Sequence, residues 1–541
     1  MERVGDSLRQ TEWRTADDPP PPNPPPRQTP PPPPPKKNQN QNHSTRPSPF
    51  AVHNNFGGGF VTDEDRVALS SIRFGATGAG PDAAALLTRD GTPIGSRDSH
   101  HHPHEGGGGG GGGAEGGGKK GAAAANWMET SMESAFENAA LPPWTLRAGA
   151  RETIYHDPSH VTAAIVTCGG LCPGLNDVIA GLVSRLEDYG VPEGNILGIR
   201  YGFRGFYDKA HRPVVLTKRS VDTIHLQGGT ILGTSRGGAN IKEIVKRLDM
   251  WGVDMLFVVG GNGGNAGANA IFQKCEEAGV VCSVIGVPKS IDNDILLIDR
   301  CFGFDTAVEE AQRALLAART EAASARHGVG IVKLMGRQSG FIAVQASLAS
   351  GVVDACLIPE VPFKLDGPKG LFGHVRRVLD AKGYCVVCVA EGAGQELLDE
   401  ANSAAGNGGG GAGGGGGGGA AGGAGARAAT DASGNPILED VGVFLRDACK
   451  RAFRDADVKY IDPSYLIRST PTSSNDRIYC KILAHNAVHG AFAGYTGVTV
   501  GLVNTHYCYL PIPVIIQAPR RIDPRGRMWN RLRAAIGQLD F

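Results

Sequence analysis

Three segments of this chain are rich in glycine: the first and third lie where a strand-like apolar run gives way to a helical pattern, and the second is predicted to be a flexible loop. They cover residues 169–176, 228–238 and 260–265. Backbone N–H groups at the start of a helix point towards a bound anion, and glycine lets a phosphate approach the backbone closely. An ordinary strand-to-helix turn explains the first segment equally well, but the second adds hydroxyls and Arg236, whose guanidinium can brace a transferring phosphoryl group. These segments indicate a candidate phosphate-binding site.

Two carboxylates follow the third glycine-rich segment. Asp292 and Asp294 come just after the apolar run at residues 280–288. One carboxylate at such a position can accept a proton from an attacking hydroxyl, while the other binds or orients a metal ion. Taken alone, the pair is explained more simply as capping aspartates in a turn. The order of all four segments along the chain favours phosphoryl transfer.

Alternating strand-like and helix-like segments are needed to position these residues. The apolar run at 161–170 precedes an amphipathic pattern at 176–190, and the run at 255–261 precedes a second one at 265–279. Further strands are predicted at residues 280–288, 328–336, 354–360 and 384–390. The repeat of strand, glycine turn and helix predicts an α/β fold with doubly wound parallel sheets, and the number of strands predicts two lobes facing a cleft. Ligands in such folds bind at the carboxyl ends of the strands.

Two low-complexity regions cannot build a hydrophobic core. Residues 1–125 are rich in Pro, then polar, then rich in His and Gly, whereas residues 401–429 are almost purely Gly and Ala. The 79 Gly and 35 Pro of the 541-residue chain are concentrated in such runs. We therefore expect a disordered extension at 1–125 and a surface-loop insertion at about 401–429.

Bulk composition excludes several classes of partner. The chain carries 54 basic and 54 acidic residues, so its formal charge of zero creates no overall attraction to nucleic acid or to an anionic membrane. Its apolar stretches are far shorter than the ~20 residues that span a bilayer. The first residues show neither a secretory signal nor a clear transit peptide. We predict a cytoplasmic protein that acts on small charged metabolites, with a plastid location as the alternative.

The eleven cysteines lack the dense, regular spacing of a secreted disulfide scaffold, which indicates reduced thiols in an intracellular enzyme. Cys385 and Cys388 form a C-x-x-C motif within the apolar run at 384–390. A buried strand is the favoured interpretation of that run, and a redox or zinc pair is the alternative.

The chain resembles the 6-phosphofructokinases of the plant and green-algal ATP-dependent type from about residue 146 to residue 539. The resemblance is carried, in order, by VTCGGLCPGLN, GGTILGTSRGG, VPKSIDNDI, FGFDTAVEEAQRA, KLMGRQSGFIA, AEGAGQ, YIDPSYLIR and AVHGAFAGYTG. It implies two doubly wound lobes of the phosphofructokinase type within residues 126–541, with lobe 1 at about 150–325 and 470–515 and lobe 2 at about 326–469. It also implies transfer of the ATP γ-phosphate to the C1 hydroxyl of D-fructose 6-phosphate, the first committed step of glycolysis, with Mg²⁺ as cofactor. Family members commonly assemble as dimers or tetramers, so a homo- or hetero-oligomer is expected.

The resemblance also assigns roles to matching positions. The implied ATP contacts are Gly169, Arg236, Gly237, Gly261, Asn262, Gly263 and Gly264. The implied contacts with fructose 6-phosphate are Ser290, Ile291, Asp292, Met335, Gly336, Arg337, Glu391, Tyr465, Leu466, Ile467 and Arg468. Asp292 is expected to be the general base, Arg236 to assist the transfer, and Asp294 to hold the metal region in its ionised form. Guanidinium groups suit phosphate because they offer paired N–H donors, and a Glu carboxylate accepts hydrogen bonds from sugar hydroxyls.

Gly263 bears on the choice of phosphoryl donor. Pyrophosphate-dependent relatives carry an acidic side chain at the matching position, so Gly263 favours ATP because it leaves room for the adenosine part. Lys289 does not decide the question, since relatives of both donor classes carry Lys there.

Asn262 departs from the family pattern GGDGT, whose Asp contacts Mg²⁺. An Asn oxygen can touch the ion but does not neutralise its charge. Losing one charge-stabilising contact typically costs ~10² to 10³ in rate. Three functions therefore remain: an ATP-dependent kinase, a weakly active or non-catalytic regulatory subunit, and a pyrophosphate-dependent enzyme. The retention of Asp292, Arg236, Arg337 and Arg468 favours the kinase.

Overall fold

The computed structural model describes residues 45–51, 60–69, 144–367, 369–406 and 438–541. Its strands are β1 (Arg46–Pro47), β2 (Arg66–Ala68), β3 (Trp144–Arg147), β4 (Thr153–Ile154), β5 (Ala163–Thr167), β6 (Ile196–Ile199), β7 (Val214–Val215), β8 (Met255–Gly260), β9 (Ser283–Pro288), β10 (Gly328–Leu334), β11 (Ala355–Leu357), β12 (Tyr384–Ala390), β13 (Val458–Ile461), β14 (Val498–Val503) and β15 (His506–Pro511). Its helices are α1 (Leu175–Tyr189), α2 (Lys218–Val221), α3 (Ile241–Trp251), α4 (Asn262–Ala278), α5 (Phe304–Ala323), α6 (Phe341–Ser350), α7 (Leu371–Lys382), α8 (Gln395–Gly406), α9 (Val441–Ala452), α10 (Ser464–Ser469), α11 (Ser474–Phe492), α12 (Ile512–Ile515) and α13 (Arg527–Ile536).

The larger sheet has nine strands among the described residues, in the order β2-β3-β15-β14-β9-β8-β5-β6-β7. Its centre, from β14 to β6, is parallel. Both edges are antiparallel, because β15 returns directly from β14 and β7 pairs antiparallel with β6. The predicted α/β fold is confirmed, and the antiparallel edges are an addition to the predicted parallel core.

The central strands are apolar along their whole length because helices cover both faces of the sheet. All five residues of β5 are buried. Ala163 and Ile165 belong to the core shared with α1 and α11, whereas Ala164 and Val166 belong to the core shared with α3 and α4. This two-sided burial holds the carboxyl ends of β5, β8 and β9 side by side.

The smaller sheet is wholly parallel, in the order β11-β12-β10-β13. Its strands begin at residue 328 and end at residue 461, inside the range predicted for lobe 2. The lobe boundaries themselves stay a prediction. Helices α5 and α6 pack on one face, and α7 and α9 pack on the other.

The C-x-x-C motif lies in β12, so the predicted buried strand is confirmed. Successive side chains of a strand point to opposite faces, and residues three apart therefore point in opposite directions. Cys388 packs in the core beside α6, whereas Cys385 packs in the core beside α7. The two thiols therefore cannot act together on one metal or one redox partner.

Two short segments of the predicted extension are part of the folded protein. Strand β1 pairs with β4, and β2 pairs with β3 at the edge of the larger sheet. The Phe50 ring lies 4.9 Å from the Tyr189 ring, and Val67 is buried. The prediction for residues 1–125 is thus corrected at 45–51 and 60–69, because a few apolar side chains bury on surfaces supplied by distant elements. The rest of 1–125 lies outside the described residues.

The predicted insertion at 401–429 also begins later than expected. Helix α8 continues to Gly406, since the Glu, Leu and Ala residues of its sequence QELLDEANSAAG favour helix. Residues 407–429 lie outside the described part of the chain. In the described part, no helix is both long enough and apolar enough to cross a bilayer.

Candidate active site

A cavity of about 680 Å³ lies where the carboxyl ends of strands from both sheets meet. The larger sheet contributes the residues that follow β5, β8 and β9, and the smaller sheet contributes those that follow β10 and β12. Of the predicted site residues, the cavity wall includes Gly169, Arg236, Gly237, Gly261, Asn262, Gly263, Gly264, Ser290, Ile291, Asp292, Asp294, Arg337, Glu391 and Arg468. The fold thus brings together positions that are up to 299 residues apart, from 169 to 468.

The first glycine loop needs its glycine for conformational reasons. Gly169 has φ of 89°, a left-handed conformation that other residues rarely adopt. Its N–H donates to the Ser235 carbonyl over 3.0 Å, and its own carbonyl accepts from Thr234 Oγ1 over 2.8 Å. These bonds tie the first and second glycine-rich segments together at the cavity wall.

The third glycine loop starts helix α4, with Gly261 as its N-terminal cap. The N-terminus of α4 therefore faces the cavity, where its unpaired N–H groups and dipole favour an anion. A methyl group on Gly261 would lie 3.0 Å from the Lys289 carbonyl, whereas one on Gly263 would meet nothing within 4 Å. Gly261 is thus restricted by its neighbours, and Gly263 borders open space.

Two cations flank the first loop. A side chain on Gly170 would begin 3.5 Å from Arg236 Nη2, and one on Gly169 would begin 3.4 Å from Lys289 Nζ. Both Arg236 and Lys289 line the cavity. Their charges can stabilise the extra negative charge of a transferring phosphoryl group.

The two predicted carboxylates lie at the floor of the cavity, between the glycine loops and the smaller sheet. Asp294 accepts a short hydrogen bond from Ser290 Oγ and another from Asn262 Nδ2 over 3.2 Å. Asp292 differs, because its Oδ1 is buried and has no hydrogen-bond partner among the described residues. Asp292 therefore keeps an oxygen that can accept a proton from a bound hydroxyl.

Burial raises the pKa of Asp292 to about 7. The nearby carboxylates of Asp294 and Glu391 add to this rise, whereas Arg468 and Lys289 oppose it. A carboxylate of this pKa is a stronger base than an ordinary aspartate, and about half of it is ionised at pH 7.

Burial also raises the pKa of Asp294, although the hydrogen bond from Ser290 favours its ionised form. This direction runs against the expectation that Asp294 stays firmly ionised. Two carboxylates in one buried site hinder each other's ionisation, so Asp292 and Asp294 titrate as a pair.

The opposite wall carries the groups predicted to hold the sugar phosphate. Arg337 Nε lies 3.7 Å from Glu391 Oε1, and Arg468 Nε lies 3.2 Å from Met335 Sδ. The chain after β12 is tied to the chain after β10, because Gly392 N–H donates to the Gly336 carbonyl over 3.0 Å. Two guanidinium groups and one carboxylate therefore face the cavity from the smaller sheet.

Five predicted sugar-phosphate contacts do not line the cavity. Met335 is buried behind Arg468, and Gly336 serves the backbone link to Gly392. Consecutive residues of a helix point in different directions, so only Arg468 of the four in α10 reaches the cavity. Tyr465 and Leu466 are 83% and 76% exposed, and Ile467 is in the core.

Several cavity residues could not be found from the sequence motifs. They include Phe203, Ile241, Leu438 and the segment 516–519. The last is held by Arg520, whose N–H donates to the Asp294 carbonyl over 2.7 Å. These residues carry no local signal of function, because only the tertiary fold brings them to the cavity.

The cavity floor carries two side chains with oxygen atoms that could bind Mg²⁺, Asn262 and Asp294. Asn262 Oδ1 is buried without a hydrogen-bond partner among the described residues, and the carboxylate of Asp294 lies beside it. No cluster of three or more His, Cys, Asp or Glu side chains that could hold a metal occurs in the described ranges. Mg²⁺ often takes one or two protein oxygens and completes its shell with water and phosphate. The residues present fit an ion that arrives with a nucleotide.

Comparisons with known proteins agree with this geometry. The sequence model of the phosphofructokinase family matches residues 162–491. The chain is 53% identical over 402 residues to ATP-dependent 6-phosphofructokinase 5, chloroplastic, of Arabidopsis thaliana, which covers 74% of this chain and 70% of the relative. It is 39% identical over 404 residues to the ATP-dependent 6-phosphofructokinase of Borreliella burgdorferi, which covers 72% of this chain and 84% of the relative.

Among solved structures, the fold is similar to a pyrophosphate-dependent phosphofructokinase from Marinobacter aquaeolei. The TM-score is 0.55 with 19% identity, over 70% of this chain and 91% of the other. At this level of identity the likeness concerns the fold alone, and it confirms the predicted phosphofructokinase architecture. The matched sequence range contains all the predicted site residues. The chain belongs to the phosphofructokinase family and resembles its plant-type ATP-dependent members.

Proposed function

We propose that this protein transfers the γ-phosphoryl group of ATP to the C1 hydroxyl of D-fructose 6-phosphate, giving fructose 1,6-bisphosphate and ADP in glycolysis. The main support for this proposal is the position of the Asp292 side chain in the cavity. This carboxylate lies between an anion-binding wall of glycine loops and a wall that presents Arg337, Glu391 and Arg468. A kinase needs its base at this junction of donor and acceptor.

The phosphates of ATP bind at the N-terminus of α4 and along the first glycine loop. Fructose 6-phosphate binds at the opposite wall, where Arg337 and Arg468 hold its phosphate and Glu391 accepts hydrogen bonds from its hydroxyls. The C1 oxygen attacks the γ-phosphorus in line, its proton passes to Asp292, and the bond to the β–γ bridging oxygen breaks as ADP leaves. Arg236 and Lys289 offset the negative charge of the phosphoryl group during transfer.

Mg²⁺ is the proposed cofactor, with Asp294 and Asn262 as the residues that would hold it. The ion would neutralise phosphate charge when it is bound. Asp294 also accepts a hydrogen bond from Ser290, which fixes the loop that carries Asp292.

An initial-rate assay tests the proposal. Purified full chain is supplied with fructose 6-phosphate, Mg²⁺ and either ATP or pyrophosphate, and the same assay is run on Asp292→Asn. The matched control is Asp305→Asn, which removes another carboxylate, one that pairs with Arg300 over 2.6 Å outside the cavity. We expect turnover with ATP that falls at least ~10³-fold in Asp292→Asn, in keeping with loss of a general base, and stays near normal in the control. Equal activity of Asp292→Asn and the unchanged protein would overturn the role of Asp292.

A second candidate is a weakly active or regulatory subunit, and Asn262 is the observation in its favour. The amide supplies no negative charge for Mg²⁺ where the family pattern has a carboxylate. A protein that binds fructose 6-phosphate in calorimetry yet turns over neither donor would favour this candidate. A pyrophosphate-dependent enzyme is less well supported, because Gly263 borders open space and leaves room for a nucleotide.

Assembly and compartment belong to the same proposal. We expect a homo- or hetero-oligomer, dimer or tetramer, which sedimentation of the purified chain can test. Two relatives from Arabidopsis thaliana are named as chloroplastic, which supports a plastid location over the cytoplasmic one predicted from the sequence. Imaging of the full chain fused to a fluorescent protein in plant cells would distinguish the two compartments.

A further inference from the structure

Lys333 lies one strand residue before the end of β10 and bridges two aspartates. Its Nζ lies 2.9 Å from Asp440 Oδ2 and 2.9 Å from Asp462 Oδ2. The Lys333 side chain is only 12% exposed, and Tyr460 OH donates to Asp440 Oδ1 over 3.0 Å. A shielded ammonium with two carboxylate partners makes stronger hydrogen bonds than an exposed ion pair. We call these three charged side chains the Lys333 bridge.

The first partner of the bridge caps helix α9. Asp440 Oδ1 accepts from the N–H groups of Gly442 and Val443 over 3.0 and 3.1 Å. The chain just before it also reaches the cavity, because Leu438 is part of the cavity wall.

The second partner of the bridge starts helix α10. Asp462 Oδ1 accepts from Ser464 N–H over 3.0 Å, and α10 carries Arg468 into the cavity. The ammonium itself belongs to β10, whose next residues lead to Arg337. The bridge therefore connects the chain segments that deliver both guanidinium groups.

A neutral link extends the network to the third sugar-phosphate group. Gln395 Nε2 donates to the Glu391 carbonyl over 2.9 Å and to the Glu439 carbonyl over 3.2 Å. Gln395 Oε1 in turn accepts from Glu439 N–H over 3.2 Å. The residue next to Glu439 is the first partner of the bridge, so Glu391 is tied to the same network.

We propose that Lys333 is a positioning residue for fructose 6-phosphate, which through Asp440 and Asp462 sets Arg337, Glu391 and Arg468 at one spacing. The inference rests on the proposed function, because it concerns the acceptor wall of that same site. Among the described residues, the hydrogen-bond and ion-pair partners of the bridge are Tyr460, Gly442, Val443 and Ser464, which lie outside the glycine loops that hold the nucleotide. Loss of the bridge therefore weakens binding of the sugar phosphate and spares binding of ATP.

The same sheet supplies a matched control at its opposite end. Lys382 Nζ lies 2.5 Å from Asp354 Oδ1, and Asp354 also accepts from Val386 N–H over 2.8 Å. This ion pair joins the amino ends of β11 and β12, away from the cavity. A purely structural role for lysine bridges in this sheet would give both sites the same effect.

The test compares Lys333→Met, Asp462→Asn, Lys333→Arg and Lys382→Met in the full chain. Kinetics give KM for each substrate, and calorimetry gives Kd for fructose 6-phosphate without ATP. We expect Lys333→Met to raise KM and Kd for fructose 6-phosphate about 10- to 100-fold, because a binding group displaced by up to about one ångström loses affinity in that range. The KM for ATP should stay within about twofold of its value in the unaltered protein. Asp462→Asn should give a smaller rise of the same kind, Lys333→Arg should restore most of the binding, and Lys382→Met should leave both constants unchanged.

Equal rises in the two KM values, or equal effects of Lys333→Met and Lys382→Met, would overturn the inference. If Lys333→Met does not fold, Asp462→Asn alone decides, since an unchanged Kd for fructose 6-phosphate in that variant contradicts the bridge. An unaltered protein that binds no fructose 6-phosphate would overturn the proposed function, and this inference with it. An unaltered protein that binds the sugar phosphate normally, beside variants that bind it equally well, would overturn the inference only.

Discussion

The ionisation of Asp292 should set the pH dependence of the reaction. The base must be ionised to accept the C1 proton, and burial raises the pKa of Asp292 to about 7. About one tenth of the carboxylate is then ionised at pH 6 and about nine tenths at pH 8. The kcat/KM for fructose 6-phosphate should therefore rise roughly tenfold between these values and level off above pH 8.

The substrate phosphate also titrates near pH 6, so the assay needs variants that move only the enzyme group. In Asp294→Asn one like charge is removed, and the midpoint should shift to lower pH. In Lys289→Met an opposing charge is removed, and the midpoint should shift to higher pH. Stopped assays across pH 5.5 to 9 at saturating ATP measure both shifts.

Two results would refute this reasoning. A flat profile from pH 6 to 8 would mean that Asp292 ionises near the ordinary pKa of an aspartate. A midpoint that is the same in the unaltered protein and in both variants would assign the titration to the sugar phosphate, because the protein substitutions cannot alter the free substrate.

The stability of the unliganded protein, the metal site and the donor site yield three further predictions. The folded-state pKa of Asp292 lies above its unfolded value near 3.8, so its contribution to stability is complete below about pH 4 and is lost as the pH rises through 7. Asp292→Asn should therefore raise the free energy of unfolding at pH 8 by about 1 to 3 kcal/mol and leave it unchanged at pH 4. Denaturant titration at the two pH values measures this difference. Asn262→Asp places a second carboxylate against Asp294, whose Oδ2 lies 3.2 Å from Asn262 Nδ2. Mg²⁺ should therefore bind more tightly in rate titrations, while the metal-free protein should melt at a lower temperature. Tighter Mg²⁺ binding without a lower melting temperature would contradict this close approach of the two side chains. Gly263→Asp should raise KM for ATP at least tenfold by putting a negative charge beside the phosphates, and an unchanged KM would show that the side chain points away from the nucleotide.

The sequence predicts the elements of this fold well because their apolar runs are long and regular. Strands β5, β8, β9, β10 and β12 all fall within the predicted runs, and each is buried on both faces. The short edge strands β2 and β3 escaped prediction, since their three and four residues carry too little periodicity to reveal a strand. Phe50 and Val67 show the same limit, because a few apolar residues in a region without a regular apolar pattern reveal a buried position only when their partners are known.

For the candidate site too, some features could be predicted from the sequence and others could not. Residues on glycine loops, such as Gly169 and Gly261, were predictable because their motifs follow strands. The helix α10 was predicted as a block of four contacts, but only Arg468 reaches the cavity, since a helix turns about 100° per residue. The raised pKa of Asp292 could not be predicted, because it depends first on burial by the folded chain and then on neighbours such as Glu391, which is distant in sequence.

The segment 516–519 determines when the cavity can be completed during synthesis of the chain. This segment forms part of the wall and is joined to the loop of the paired carboxylates through the hydrogen bond from Arg520 to Asp294. A ribosome makes the glycine loops more than 200 residues before it makes this segment. During synthesis the nascent protein can therefore form much of its larger sheet while its catalytic pocket still lacks one side. Chains whose translation stops before this segment are expected to be inactive even when much of the larger sheet has formed, so kinase activity would appear only after residue 519 has been made.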